Sequence, residues 1–227
     1  EFSVTSFQVT YRVLSLVLFI FLFIPALNPA RISENISRNV SLFTSGFAYG
    51  TYTKNIERAL IRGWLPYYVI NIAFFSSMIA CIGIIACGLG SCVSVGNNKL
   101  KRYAHIALIA GSSLVILSMF GILYSYNLIC SSPNVNRLAP IEPAGYVFFV
   151  VLAAIILICS IISFIKTPAP KKDEKCHIDA PLQLFLMILP FLILVLIFSY
   201  LPLWGWRYAF FDYSAGDVLS MENWVGF

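Results

Sequence analysis

Long, uninterrupted apolar runs constrain the fold of this chain more than any other feature. A helix needs roughly 20 apolar residues to cross the hydrocarbon core of a bilayer. Because lipid offers no hydrogen-bond partners, a spanning segment must be a helix or a strand of a closed barrel, and continuous rather than alternating runs favour helices. The sequence therefore predicts an all-α integral membrane protein with five transmembrane helices, at residues 11–27, 66–93, 103–130, 146–165 and 182–203.

The composition supports the lipid bilayer as the main partner of the chain. Apolar residues make up 59% of the sequence and charged residues 11%, whereas soluble domains usually carry about 25% charged residues. The net charge of +5 fits basic loops beside an anionic leaflet and requires no nucleic acid. We therefore expect a multi-pass protein of the cell membrane that binds no nucleic acid.

Lysine and arginine in short loops predict the orientation, because basic loops stay in the cytoplasm. Arg137 and Arg207 fall on one side of the predicted topology, and eight basic residues fall on the other: Arg12, Lys99, Lys101, Arg102, Lys166, Lys171, Lys172 and Lys175. This asymmetry predicts a cytoplasmic N-terminus and an external C-terminus for the 227 residues.

The first loop, residues 31–63, departs from this pattern, since it carries five basic residues on the predicted outer side. Either the loop is long enough to escape the rule, or the short first span does not cross the membrane. Residues 55–62 also have the apolar spacing of a short interfacial helix.

A segment rich in proline and lysine, residues 167–181, divides the chain. Its prolines restrict the backbone and its charges keep it in water. We therefore predict a four-span membrane module at residues 1–166, a cytoplasmic linker at 167–181 and a separate segment at 182–227. Pro190 lies inside the fifth predicted span and is expected to kink it.

The last part of the chain, residues 184–227, carries an ordered set of aromatic, proline and glycine residues. These are Pro190, Tyr200, Pro202, Gly205, Phe210, Asp212, Tyr213, Trp224 and Gly226. Their order and spacing resemble the opening of the membrane subunit of a binding-protein-dependent ABC importer for sugars or oligosaccharides. The resemblance covers about a fifth of the chain and leaves residues 1–166 unassigned.

The resemblance implies a transport function and a set of partners. The chain would be an N-terminal piece of a bacterial permease subunit, whose body continues beyond Phe227. It would work with a second permease subunit, cytoplasmic ATPase subunits and an external solute-binding protein. The alternative is a non-transport, multi-span structural or regulatory protein. A longer reading frame with further spans and an ATPase-docking loop would favour the permease.

The sequence predicts neither an enzyme nor a bound cofactor. It contains no GxxxxGK[ST] loop and no Ser-His-Asp or HExxH arrangement, and no predicted span has a charged residue in its middle. His105 reads as an interfacial residue and His177 as a solvated linker residue, without metal-ligand spacing around either. Cys81, Cys87 and Cys159 are interpreted as small packing residues. Cys92 and Cys130 fall on opposite membrane faces of the predicted topology, which argues against a disulfide bond between them.

Small residues make the second predicted span unusually smooth. Gly83 and Cys87 are four residues apart, and Gly88 and Gly90 follow closely. A pair of small residues at this spacing lets two helices approach closely. The neighbour could be another helix of the same chain. The alternative hypothesis is that these residues form a docking face for a partner permease subunit.

Overall fold

A computed structural model of the protein describes residues 4–143 and 145–169. The chain divides into two units, Glu1–His177 and Ile178–Phe227. The division falls inside the segment that we predicted as a linker. The second unit, with the fifth predicted span, lies outside the described residues.

All regular secondary structure within the described residues is helical. Four longer helices are α1 (Val4–Phe21), α5 (Tyr67–Val93), α6 (Asn98–Cys130) and α8 (Gly145–Lys166), and four short ones are α2 (Leu42–Phe47), α3 (Tyr49–Thr53), α4 (Glu57–Ile61) and α7 (Val135–Leu138). Three of them, α5, α6 and α8, are long and apolar enough to cross a membrane. The all-helical class is therefore confirmed, and these three helices indicate a membrane location.

The first predicted span differs from the helix that forms. We predicted residues 11–27, but α1 ends at Phe21 and a 3₁₀ turn follows at Pro25–Leu27. A proline disfavours the helical conformation of the residue before it, and Ile24 is extended, with φ −87° and ψ 110°. As a result α1 is a shorter apolar helix than α5, α6 and α8.

The four longer helices form an antiparallel bundle in the order α1, α5, α6, α8 around a ring. Antiparallel packing of α5 and α6 follows from two contacts. Gly83 lies against Gly111, and the Ser125 hydroxyl donates to the Val69 carbonyl at 2.7 Å. Residues near the end of one helix therefore meet residues near the start of the other.

Helix α8 runs antiparallel to both of its neighbours. Phe21 near the end of α1 contacts Phe149 near the start of α8, and the Lys166 ammonium group at the end of α8 lies over Phe7. On the other side, the Arg102 guanidinium group near the start of α6 lies over Phe164. These contacts place the start of α1, the α5–α6 connection and the end of α8 at one end of the bundle. We call it the basic end, for Arg12, Lys99, Lys101, Arg102 and Lys166.

The opposite end, which we call the capped end, is covered by residues 28–66 and 131–143. The two segments join through an isolated β-bridge between Ser33 and Pro140. The side chain of Asn28 is nearly fully buried, and its amide donates to the Val40 carbonyl at 2.7 Å. The Tyr52 hydroxyl donates to the Ala30 carbonyl at 2.9 Å, and complete burial raises the pKa of this phenol above its usual value. The first loop is thus a folded cap.

The short helix predicted at residues 55–62 forms as α4, but its apolar side is not free to face lipid. Ile56, Ala59 and Leu60 are all buried in the core of the cap. Next to α4, the Trp64 ring lies within about 5 Å of two guanidinium groups, those of Arg62 and Arg137. The cap therefore buries the apolar face that the interfacial hypothesis assigned to the membrane surface.

Candidate functional site

The residues that carry the permease resemblance lie outside the described residues. This applies to all nine motif positions: Pro190, Tyr200, Pro202, Gly205, Phe210, Asp212, Tyr213, Trp224 and Gly226. It applies equally to His177 and to Cys176, the sixth cysteine of the chain. Their arrangement stays a prediction, so the geometry that follows concerns the bundle and its cap.

The interior of the bundle contains serine hydroxyls of two kinds: some donate to helix carbonyls, whereas those of Ser15, Ser160 and Ser163 are buried without a hydrogen-bond partner in the described part of the chain. Ser77 donates to the Ala73 carbonyl and Ser112 to the Leu108 carbonyl, each at 2.7 Å. A hydroxyl that bonds to its own helix four residues back is not available to a solute. The α5–α6 side of the interior is therefore packed protein, and Ser77 and Ser112 line no polar path there.

Glycines bring the backbones of α5 and α6 into direct contact. A methyl group added to Gly83 would lie 2.7 Å from the Gly111 carbonyl oxygen, and one added to Gly111 would lie 2.6 Å from that of Gly83. Gly90 meets the Ala104 carbonyl in the same way. Because α6 fills this face of α5, the hypothesis that Gly83 and Cys87 form a docking face for a partner subunit is wrong.

A polar cluster at the basic end ties α1 to α5 and α6. The Arg12 guanidinium group donates to the Ser94 hydroxyl at 2.9 Å and to the Ser94 carbonyl at 3.1 Å. Beside it, the Tyr11 hydroxyl lies 3.2 Å from Nε2 of His105, which belongs to the early turns of α6. Two side chains of α1 thus reach the C-cap of α5 and the helix α6.

One expectation about this cluster needs correction. His105 was predicted to be interfacial, but it is fully buried, because α1 covers it and Tyr11 supplies a hydrogen-bond partner. Arg12 lies in the middle of α1, since the helix begins at Val4 rather than at Tyr11. Helix α1 is not one of the three helices long enough to cross a membrane, and those three carry no charged residue in their middle.

The cysteines within the described residues are all free. Cys81, Cys87 and Cys159 are buried, as expected of packing residues. The Cys81 thiol donates to the Leu42 carbonyl at 3.6 Å, which connects α5 to the cap. Cys92 and Cys130 are exposed and lie at opposite ends of the bundle. Among these residues no group of His, Cys, Asp or Glu could hold a metal ion.

A groove lies between the first turns of α6 and the last turns of α8. Its volume is about 230 Å³, and its lining residues are Lys99, Arg102, Tyr103, Ile106 and Phe164. The Arg102 guanidinium carbon is 5.0 Å from the centre of the Phe164 ring. Sequence reasoning missed this groove. The available signal was the spacing of Lys99, Arg102 and Ile106, which places them on one face of a helix.

Comparison with known proteins identifies no relative of this chain. A scan against protein-family models finds no match, and searches of curated proteins and of solved structures find no significant match either.

Proposed function

We propose that the chain carries the N-terminal part of the permease subunit of a binding-protein-dependent ABC importer for sugars or oligosaccharides. The single observation that supports this proposal is the order and spacing of the nine motif residues from Pro190 to Gly226. Three apolar helices long enough to cross a membrane are compatible with such a subunit, but they fit other membrane proteins as well. The proposal therefore depends on the motif.

In this proposal the described bundle supports the transport path rather than forming it. A polar solute needs a path that is lined on all sides within the lipid. Between α5 and α6 the bundle offers close glycine contacts and serines that donate to helix carbonyls instead. The path then belongs to the permease body, with a second permease subunit. Cytoplasmic ATPase subunits would supply the energy, and an external solute-binding protein would deliver the sugar.

Substitution of motif residues in the source gene tests the transport function. The variant combines Pro202→Ala with Gly205→Leu, and Leu203→Ala in the same segment is the matched control. We expect the variant, but not the control, to lose most uptake of one class of radiolabelled carbohydrate while its abundance in the membrane stays unchanged. Unchanged uptake of every carbohydrate in the panel would contradict the proposal.

The second candidate is a non-transport structural or regulatory membrane protein. The filled interior of the bundle favours it, because a scaffold needs no solute path. The two candidates differ in the cell: deletion of the gene abolishes uptake of one carbohydrate class in the first case and of none in the second.

We further propose that the basic end faces the cytoplasm and the capped end faces outward. The positive-inside rule supports this orientation for Lys99, Lys101, Arg102 and Lys166. The capped end carries six basic residues of its own, Arg31, Arg38, Lys54, Arg58, Arg62 and Arg137. The proposed orientation therefore requires that the folded first loop crosses the membrane despite its charge.

The exposed cysteines provide built-in reporters of this orientation. In a Cys176→Ser background, a membrane-impermeant maleimide added to intact cells should label Cys130 and leave Cys92 unlabelled until the cells are permeabilised. The variants Cys92→Ala and Cys130→Ala assign each signal to its residue. Labelling of Cys92 in intact cells, with Cys130 protected, would reverse the proposed orientation.

A further inference from the structure

The groove between α6 and α8 combines cations with an apolar floor at one end of the bundle. Lys99 and Arg102 are partly buried in its wall, whereas Tyr103 and Ile106 are more than half exposed on the outer surface. Phe164 forms the other wall and stacks against the Arg102 guanidinium group. The groove therefore offers positive charge toward the end of the bundle and apolar surface toward its middle.

The charges at this end are not balanced by acidic side chains within the part of the chain that the structure describes. The only carboxylates in that part are Glu34, Glu57 and Glu142, and all three belong to the capped end. The first turn of α6 adds the positive end of a helix dipole to Lys99 and Arg102. An anion placed in the groove would therefore meet several favourable charges and no described acidic side chain.

The surroundings of the groove extend its apolar side along the bundle. Ile165, the residue after Phe164, is 76% exposed, and Ile158 and Ile161 continue the exposed apolar surface of α8. On α6, Ile106 is followed by exposed Leu114 and Leu117. A ligand with an anionic head and long apolar chains would match the basic groove followed by the exposed apolar faces of α6 and α8.

We propose that the groove binds the headgroup of an anionic phospholipid, with the acyl chains lying along the exposed apolar faces of α6 and α8. The phosphate is held by Lys99 and Arg102, and Tyr103 lies at headgroup depth, where tyrosine is favoured. Basic pockets between membrane helices are suited to such headgroups.

The size and position of the groove favour a lipid over a soluble anion. Its volume of about 230 Å³ is below the roughly 300–1,000 Å³ of pockets that enclose a whole small molecule. Such a groove can hold a headgroup only if the rest of the ligand lies outside it. The exposed isoleucines and leucines provide the surface on which the rest would lie.

Native mass spectrometry of the full 227-residue chain in detergent micelles tests the proposal. The probes are phosphatidylglycerol, phosphatidylcholine and glycerophosphoglycerol, which has the anionic headgroup without acyl chains. We expect phosphatidylglycerol to bind more tightly than either of the other two. The double variant Lys99→Gln, Arg102→Gln should weaken its binding by about 25-fold, roughly five-fold for each cation near an anionic lipid.

Two further variants keep the test independent of folding. Lys54→Gln with Arg58→Gln removes two exposed cations at the capped end and should leave phosphatidylglycerol binding unchanged. Arg102→Lys keeps the charge but not the planar group that stacks on Phe164, and should weaken binding less than the double variant does. Circular dichroism confirms that each variant is helical.

Three outcomes would overturn the proposal. Equal binding of phosphatidylcholine would show that charge does not select the lipid. Equal binding of glycerophosphoglycerol would assign the groove to a soluble anion. Equal loss of binding in the control at the capped end would show a general surface effect. Phosphatidylglycerol selectivity that is lost only with Lys99 and Arg102 supports the site.

Discussion

The contact between α5 and α6 differs in kind from the contacts that attach α1 to its neighbours. Helices α5 and α6 meet backbone to backbone at Gly83 and Gly111. Helix α1 meets its neighbours through larger side chains: the Phe21 and Phe149 ring centres are 6.4 Å apart, and the Tyr11 hydroxyl contacts His105. Lipid supplies little hydrophobic force between helices, so packing and polar contacts must hold them together. The α5–α6 pair combines backbone packing with a hydrogen bond from Ser125 to Val69, whereas α1 is attached by side-chain packing and by the polar contacts of Tyr11 and Arg12.

This difference predicts which substitutions each helix tolerates. A larger residue should damage the α5–α6 contact most, because neither backbone can move aside without disturbing the rest of the bundle. Loss of a polar group should damage the attachment of α1 most, because hydrogen bonds to Ser94 and His105 are part of that attachment.

The largest effect is expected for Gly111→Val. The added side chain would meet the Gly83 carbonyl oxygen at 2.6 Å and the Cys87 sulfur at 2.9 Å. We expect a loss of about 3 kcal/mol in the free energy of unfolding, at the upper end of the usual cost of overpacking. Reversible denaturation in micelles, followed by circular dichroism, measures it. Gly88→Val is the matched control, because nothing lies within 4 Å of its added methyl group. Similar losses for both variants would refute close packing as the cause.

A smaller effect is expected for Arg12→Leu. The substitution removes two hydrogen bonds to Ser94, and bonds from a charged donor contribute roughly 1.5–3 kcal/mol each when the partner is not exposed to water. Because Arg12 is only half-buried, we expect a total loss of about 2 kcal/mol. Arg38→Leu, at an exposed position of the cap, should change stability far less. Protease susceptibility near residue 12 provides a local measurement, and detachment of α1 should increase it. Unaltered cleavage and stability would mean that the cluster does not hold α1.

The smallest effect is expected for buried serines, and it depends on whether the hydroxyl donates to another helix or to its own. Ser125 donates to Val69 on a different helix, whereas Ser112 donates within its own helix. We expect Ser125→Ala to cost about 0.6 kcal/mol, the average for a hydrogen bond between membrane helices, and Ser112→Ala to cost less. The same denaturation assay compares them. A greater cost for Ser112→Ala would contradict the view that serines stabilise this bundle by joining helices.

The sequence by itself determined the class of the protein and the bounds of two helices. The predicted spans 66–93 and 146–165 differ by one residue at most from α5 and α8. Continuous apolar runs of this length require intrahelical hydrogen bonds in lipid, so local composition is enough to define them. The start of α6 was predicted five residues late, because Asn97 caps the helix through its side chain at Leu100 and charged residues can occupy a first turn outside the apolar region.

Only the tertiary structure decided what each face of these helices contacts. Gly83 could have met a partner subunit or another helix of the chain, and the pairing of α5 with α6 settled the choice. His105 and Arg12 were assigned by their positions at predicted span ends, yet their surroundings depend on α1, which is distant in sequence. The groove of Lys99, Arg102 and Phe164 combines two helices whose nearest lining residues are 58 positions apart, Ile106 and Phe164. Such neighbours are determined by long-range packing, which a hydropathy pattern does not encode.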